Sequence, residues 1–341
     1  MPKDNENIPF LGPVEPSEPQ GFPADQMIRC EECLRANPPT RVSCLYCVAP
    51  LPLTESSARL RKPVLRPPEK HQLAYNNILL PPAHPLTVEA INEAATLLRL
   101  GANDLEKILS QQIPTPVART ASREEAELVL VRLRDLGLNC LALGDDELGF
   151  GNPIKRVKSV SLEATHFTVN QVGAAAEETT FDWADIVLFL PGRLFETRLE
   201  IKERKTRKAE NEILDTSEFF KDETVIDFYT TSDSFTWRIN SSGFDFSCLG
   251  KDKALIANEN IGKLQRSMIA RAARAKVDES YSRVRNLLEL AWPTQAETQS
   301  SGWRRERPGK LSVGMATIKN NETQFTRYSR LRYYLSLQSE N

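Results

Sequence analysis

Long apolar runs are missing from this 341-residue chain. No stretch of about 18 apolar residues occurs, so no membrane-spanning helix is expected. Histidine is scarce, with only His71, His84 and His166, so no general base announces itself by pattern. Glycine is sparse as well, and no GxxxxGK[ST] or GxGxxG loop offers backbone amides to a phosphate. HExxH and GxSxG are also absent, which leaves no active site to nominate and makes an enzyme with an unrecognised site the third-ranked reading. Charge of one sign is not in excess: 44 basic residues oppose 46 acidic ones, for a net charge of −2. The whole molecule therefore has no global attraction to nucleic acid. The opening residues Met1-Pro2-Lys3-Asp4-Asn5-Glu6 lack the basic start and apolar core of a secretory signal, so a cytoplasmic protein is expected. A hydrophobic content of 40% and a charged content of 26% suit folded domains, two or three at this length.

What is present begins with cysteine. Four of the six form Cys30-x2-Cys33-x10-Cys44-x2-Cys47. Each CxxC curls the backbone so that two thiolates face one centre, and the spacer lets a short hairpin bring the pairs together. Four soft sulfurs in a tetrahedron select zinc. Two disulfides are the competing reading, which the missing export signal disfavours. With all four positions filled by protein, the zinc would be structural and not catalytic.

Asn37 stands between the pairs, and Val48-Ala49-Pro50-Leu51-Pro52 follows the last cysteine. This C-x2-C-x3-N-x6-C-x2-C pattern over residues 26–52 resembles the zinc finger of the Ran-binding protein 2 type. The resemblance departs at Ile28, where such fingers carry Trp, and at Leu34-Arg35, where ubiquitin-binding members carry Thr-Phe. Members that bind single-stranded RNA use an aromatic and arginines; Tyr46, Arg29, Arg35 and Arg41 are the counterparts here. Cys140, in an apolar run, and Cys248, after Phe244-Asp245-Phe246, read as buried packing thiols.

Sixteen of the 22 prolines fall within the first 85 residues. Residues 1–25 are expected as a disordered arm and 53–85 as an extended proline-rich linker. Arg59, Arg61, Lys62, Arg66 and Lys70 read as its solvated charges. A small α/β domain is expected over 86–150. Thr87 caps a helix closed by Gly101, and a second helix follows from Asn103. A strand at Thr115–Thr120 precedes a helix opened by a Ser122/Glu125 capping box, and a further strand covers 138–143. Asp145-Asp146-Glu147 reads as an exposed acidic turn.

Over 155–292 the period shifts towards two, with Pro191-Gly192 as a turn, a charged loop at 202–208 and helices near 257–275 and 278–291. That order, with Asp182-Trp183-Ala184-Asp185-Ile186, resembles a bacterial PH-like barrel closed by a C-terminal helix. The predicted fold class is thus multidomain α+β, ending in a basic aromatic tail at 303–341. There Phe325, Tyr328, Leu331 and Leu335 form a helical packing stripe, with Arg327, Arg330 and Arg332 outside it. The function these features predict is a zinc-binding adaptor for a protein partner. A nucleic-acid-associated finger protein, using the finger's and the tail's arginines, is the alternative.

Overall fold

The computed structural model describes residues 21–61, 63–68, 72–173, 178–205, 212–307 and 310–338. These form two compact units, one within residues 1–62 and one within 63–341. Most of the arm expected at 1–25 lies outside the described residues. Residues 21–25 lead into a turn in which the Gln26 N–H donates to the Pro23 carbonyl at 3.0 Å.

The first unit is a two-stranded hairpin, β1 (Ile28–Arg29) against β2 (Ala36–Asn37), followed by helix α1 (Glu55–Leu60). Thr54 and Ser57 close a capping box on α1. Arg61, at the helix end, is buried and donates to the carbonyls of Pro39 at 3.0 Å and Pro52 at 3.2 Å. The first unit thus continues past residue 52, and Arg61 is one of its fixed parts, not a solvated linker charge. Both carbonyl partners lie in the finger segment, so the residues after 52 are tied back onto it.

The second unit starts earlier than composition implies. Strand β3 (Tyr75–Leu79) lies inside the stretch expected as linker. After it come α2 (Val88–Leu98), α3 (Ala102–Ser110), β4 (Thr115–Thr120), α4 (Arg123–Asp135) and β5 (Cys140–Gly144). The sheet order is β4-β3-β5, with β3 antiparallel to both neighbours, so β3 splits the β4-α4-β5 unit. Thr87 caps α2 by accepting from the Ala90 N–H. The helix closes on Arg99, which adopts φ 56°, and Gly101 instead opens α3. Ser122 caps α4 as expected, but Glu125 does not complete the box. Its carboxylate accepts from the backbone amides of Val64 at 2.7 Å and Leu65 at 2.5 Å, drawing in the chain before β3.

The acidic turn after β5 is exposed at Asp146 and Glu147, as expected, but not at Asp145. Asp145 is buried, accepts from Asn76 Nδ2 at 2.9 Å and pairs with Arg119 at 2.5 Å. Asn76 in turn accepts from the Trp292 indole N–H at 2.8 Å. This polar chain ties β3 to the far part of the unit.

The larger sheet is mixed and curls into a half-barrel. Its strands are β6 (Ile154–Leu162), β7 (His166–Gln171), β8 (Glu178–Asp182), β9 (Ile186–Lys205), β10 (Glu212–Thr230), β11 (Thr236–Asn240), β12 (Lys276–Val277), β13 (Gln295–Arg307) and β14 (Lys310–Asn320). The order is β13-β14-β9-β10-β11-β6-β7-β8, with β11 parallel to β6 and β12 parallel to β9. Helix α5 (Ala257–Arg271) covers one face, where Phe167, Trp183, Phe228, Trp237, Leu264 and Met268 meet. Helices α6 (Tyr281–Leu288) and α7 (Glu322–Gln338) cover the other through Tyr281, Leu288, Phe325, Tyr328 and Leu331. Alternation along β10 divides the layers: Ile226 and Phe228 point one way, Val225 and Tyr229 the other.

Three local expectations are corrected here. Pro191-Gly192 is no turn, because β9 runs straight through it, pairing Pro191 with Ile226 and Gly192 with Val225. Glycine is needed there for space: a Cβ on Gly192 would lie 2.1 Å from the Phe325 ring. Residues Lys202–Lys205 belong to β9 and not to a loop, while 206–208 lie outside the described residues. The tail from 303 is strand, strand and helix. Its stripe packs as expected, with Phe325, Tyr328 and Leu331 fully buried, but its arginines are not free. Arg330 is buried and donates to the carbonyls of Gly149 and Asn152 and, at 3.1 Å, to Thr236 Oγ1. Arg332 pairs with Asp278, and Arg327 lies 5.6 Å from the Phe150 ring centroid. The side chains of Arg330 and Arg332 therefore serve the core.

Candidate metal centre

The two CxxC segments fold identically, fourteen residues apart. In the first, the Cys30 N–H donates to Arg35 C=O at 3.0 Å and the Leu34 N–H to Cys30 C=O at 2.9 Å. In the second, the Cys44 N–H donates to Ala49 C=O at 2.8 Å and the Val48 N–H to Cys44 C=O at 3.1 Å. Each turn closes on a residue in the left-handed region, Leu34 at φ 59° and Val48 at φ 63°. The result aims four sulfurs at one point.

The Sγ atoms of Cys30, Cys33, Cys44 and Cys47 all lie within 4.8 Å of one another. Cys30–Cys47 and Cys33–Cys44 are both 3.5 Å apart. Sulfurs bound tetrahedrally to zinc at about 2.3 Å stand about 3.8 Å from each other, so the donor set fits such an ion. All six cysteines are free thiols, so the disulfide alternative does not describe this structure.

Asn37 joins the two turns. Fully buried, it donates to Arg35 C=O at 2.9 Å and to Cys44 Sγ at 3.4 Å, and accepts from the Leu45 N–H at 2.8 Å. One amide thus orients a ligand and ties its turn to the other, the usual work of groups just outside a metal's ligands. Burial opposes ionisation of Cys44. Donation from the backbone amides of Tyr46 and Cys47, from Cys33 and from Asn37 outweighs it and lowers the thiol to about 6. Cys47 accepts from the Ala49 amide, yet desolvation and its three thiol neighbours push it up to about 12. The hydrogen-bond donors of the cluster thus concentrate on Cys44.

Cys140 is buried as expected, and burial pushes its thiol up to about 12, which suits packing and not attack. Cys248 is half-buried and likewise raised by burial. His166 sits in β7 beside Thr165, His84 is exposed in a loop, and His71 lies outside the described residues. Among the described residues the cysteines form the sole cluster of His, Cys, Asp or Glu able to hold a metal.

Sequence reading missed what surrounds the sulfurs. Leu34 and Val48 are 70% and 76% exposed, and Leu45 and Tyr46 stand out beside them. The recurrence of an apolar residue directly after one CxxC and directly after the other was the available signal. The Arg35 guanidinium lies 4.7 Å from the Tyr46 ring centroid. No helix among the described residues is long and apolar enough to cross a membrane. No family model, curated protein or solved structure matches the chain.

Proposed function

We propose that this chain is a zinc-binding adaptor whose metal centre holds out an apolar surface to a protein partner. The observation that carries this reading is the pair Leu34 and Val48. A left-handed turn is cheapest with glycine, and a β-branched residue there is strained by roughly 1 kcal/mol or more. Both turns nevertheless carry exposed aliphatic side chains, which a purely structural turn does not need. The closed set of four sulfurs supports zinc as the ion and a structural role for it. The spacing and the bridging role of Asn37 support a finger of the Ran-binding protein 2 type. Element order, six strands from β6 to β11 followed by α5, is the part of the chain that supports a PH-like relationship.

The test exploits the strain. Leu34→Gly with Val48→Gly keeps both turns and the metal while deleting the surface. Metal content should stay at one ion per chain, and crosslinked capture of protein from native-cell extract should fall sharply. Undiminished capture by that variant would overturn the adaptor reading. Nucleic-acid association remains a second reading because Arg35 and Tyr46 form an exposed cation–aromatic pair. It demands oligonucleotide binding that falls steeply with salt and is lost on Tyr46→Ala.

A further inference from the structure

Between the short helical segment Phe246–Asp252 and α5, Leu255 is fully exposed and Ile256 is 57% exposed. Two adjacent large aliphatics held in water are unfavourable unless something covers them. The turn that carries them is built, not loose. Buried Asn260 accepts from the Ala254 N–H at 2.6 Å and donates back to the Ala254 carbonyl at 2.9 Å. Lys263 Nζ donates to Asp252 C=O at 2.7 Å, and the amides of Glu259 and Asn260 donate to Ile256 C=O. The backbone is thus fixed on both sides of Leu255, with the side chain outward.

Charge surrounds this tip. Six basic and two acidic residues lie between 251 and 274, in a chain whose net charge is −2. Lys251, Lys253, Arg266, Arg271 and Arg274 are exposed. On α5, Lys263 and Arg266 stand one turn apart, while Ile261, Leu264 and Met268 turn into the core, and Arg274 lies in the turn just past the helix end. Past Glu259 in its first turn, the outer side of α5 and the turn after it are therefore basic, running back from the aliphatic tip.

We propose that this turn and the basic face of α5 dock the second unit on an anionic lipid surface. Leu255 and Ile256 enter the boundary between headgroups and acyl chains, and the lysines and arginines meet the acidic headgroups. Aliphatic tips have no π-face on which bases could stack, so the composition favours a bilayer over single-stranded nucleic acid. The contact is peripheral and independent of the cysteine cluster, so it goes beyond the adaptor reading and survives that reading's failure.

The experiment is co-sedimentation of the full chain with vesicles of phosphatidylcholine alone or containing phosphatidylserine. Binding is expected only with phosphatidylserine and should weaken as salt rises. Leu255→Asp with Ile256→Asp, and separately Lys251→Glu with Lys253→Glu, should each reduce it about tenfold or more. Thermal melting should not change, because these side chains are on the surface, and Cys44→Ser should leave vesicle binding intact. The proposal is overturned if the chain ignores phosphatidylserine vesicles, or if neither pair of substitutions weakens binding. It is equally overturned if the same lysines instead mediate salt-sensitive capture of a single-stranded oligonucleotide.

Discussion

Asp227 and Arg238 stand directly opposite each other on β10 and β11, both fully buried, joined by two parallel hydrogen bonds of 2.7 and 2.8 Å. The remaining guanidinium donors reach Thr326 Oγ1 at 3.0 Å and Glu322 at 3.3 Å on α7, and Phe325 lies across the arginine at 4.9 Å. The pair thus fixes the register of two strands and seats the last helix on them. Burial works against the arginine's charge, but Asp227 outweighs it and holds the guanidinium more firmly protonated than usual.

Removing one partner should be far worse than removing both. Arg238→Met alone leaves Asp227 as an uncompensated buried charge and should cost about 3–5 kcal/mol, while Asp227→Asn leaves the guanidinium with Glu322 as its remaining carboxylate and should cost somewhat less. Asp227→Leu combined with Arg238→Met should recover much of that loss. Urea unfolding of the single and double variants measures the difference; equal, additive losses would refute it.

The arginines of α7 should separate by environment. Arg330→Ala strips donors from two carbonyls and a threonine, an expected loss of about 2–3 kcal/mol. Arg327 has no such acceptors, and burial, with repulsion from Arg119, brings its guanidinium down to about 10. Arg327→Met keeps the cover over Phe150 without that charge and should change stability by less than about 1 kcal/mol. Leu331→Asp, placing a carboxylate in the core, should abolish cooperative melting. Melting temperatures of the three variants check the ranking.

Acid should act through Asp278. Burial opposes its ionisation, but Arg332 and the donations from the Ser280 amide and hydroxyl hold its carboxyl below the ordinary value of 3.8. A depressed carboxylate contributes stability above its unfolded pKa, and that contribution is lost as pH falls through the folded value. Stability should therefore drop as pH falls below about 4. Asp278→Asn should be less stable at neutral pH and show a shallower acid dependence. Chemical denaturation across that range would reveal parallel curves if the pair contributes nothing.

Metal loss should be local. Elemental analysis should find one zinc per chain, Cys44→Ser should abolish it, and the main melting transition should persist. Asn37→Ala removes the amide that orients Cys44, and metal affinity should fall about 10–100-fold. Finding intact disulfides and no metal in purified protein would overturn the assignment.

The cysteine centre was legible because its chemistry is written in spacing: two CxxC turns need only four cysteines at the right intervals. The helices of the small α/β region were legible through Thr87 and Ser122, whose caps act within three residues. What stayed hidden depends on partners distant in sequence. Asp145 looked like one member of an acidic turn because its partners, Asn76 and Arg119, lie 69 and 26 residues away. Gly192 looked like a turn because the reason for it, Phe325, comes from α7, far along the chain. Arg330 looked exposed because helical spacing places it beside the apolar stripe, whereas a third layer, the loop at 149–152, covers it.

The position of β3 determines where the chain can be cut. A fragment begun at residue 86, where composition suggests a boundary, would lack the middle strand and leave β4 and β5 about 10 Å apart, too far to bond each other. Such a fragment would present two open edges around an empty slot lined by the partners of Ile78 and Leu79. A synthetic segment spanning residues 72–80 fits that slot, so the two pieces, separately expressed, form a natural pair for split-protein complementation.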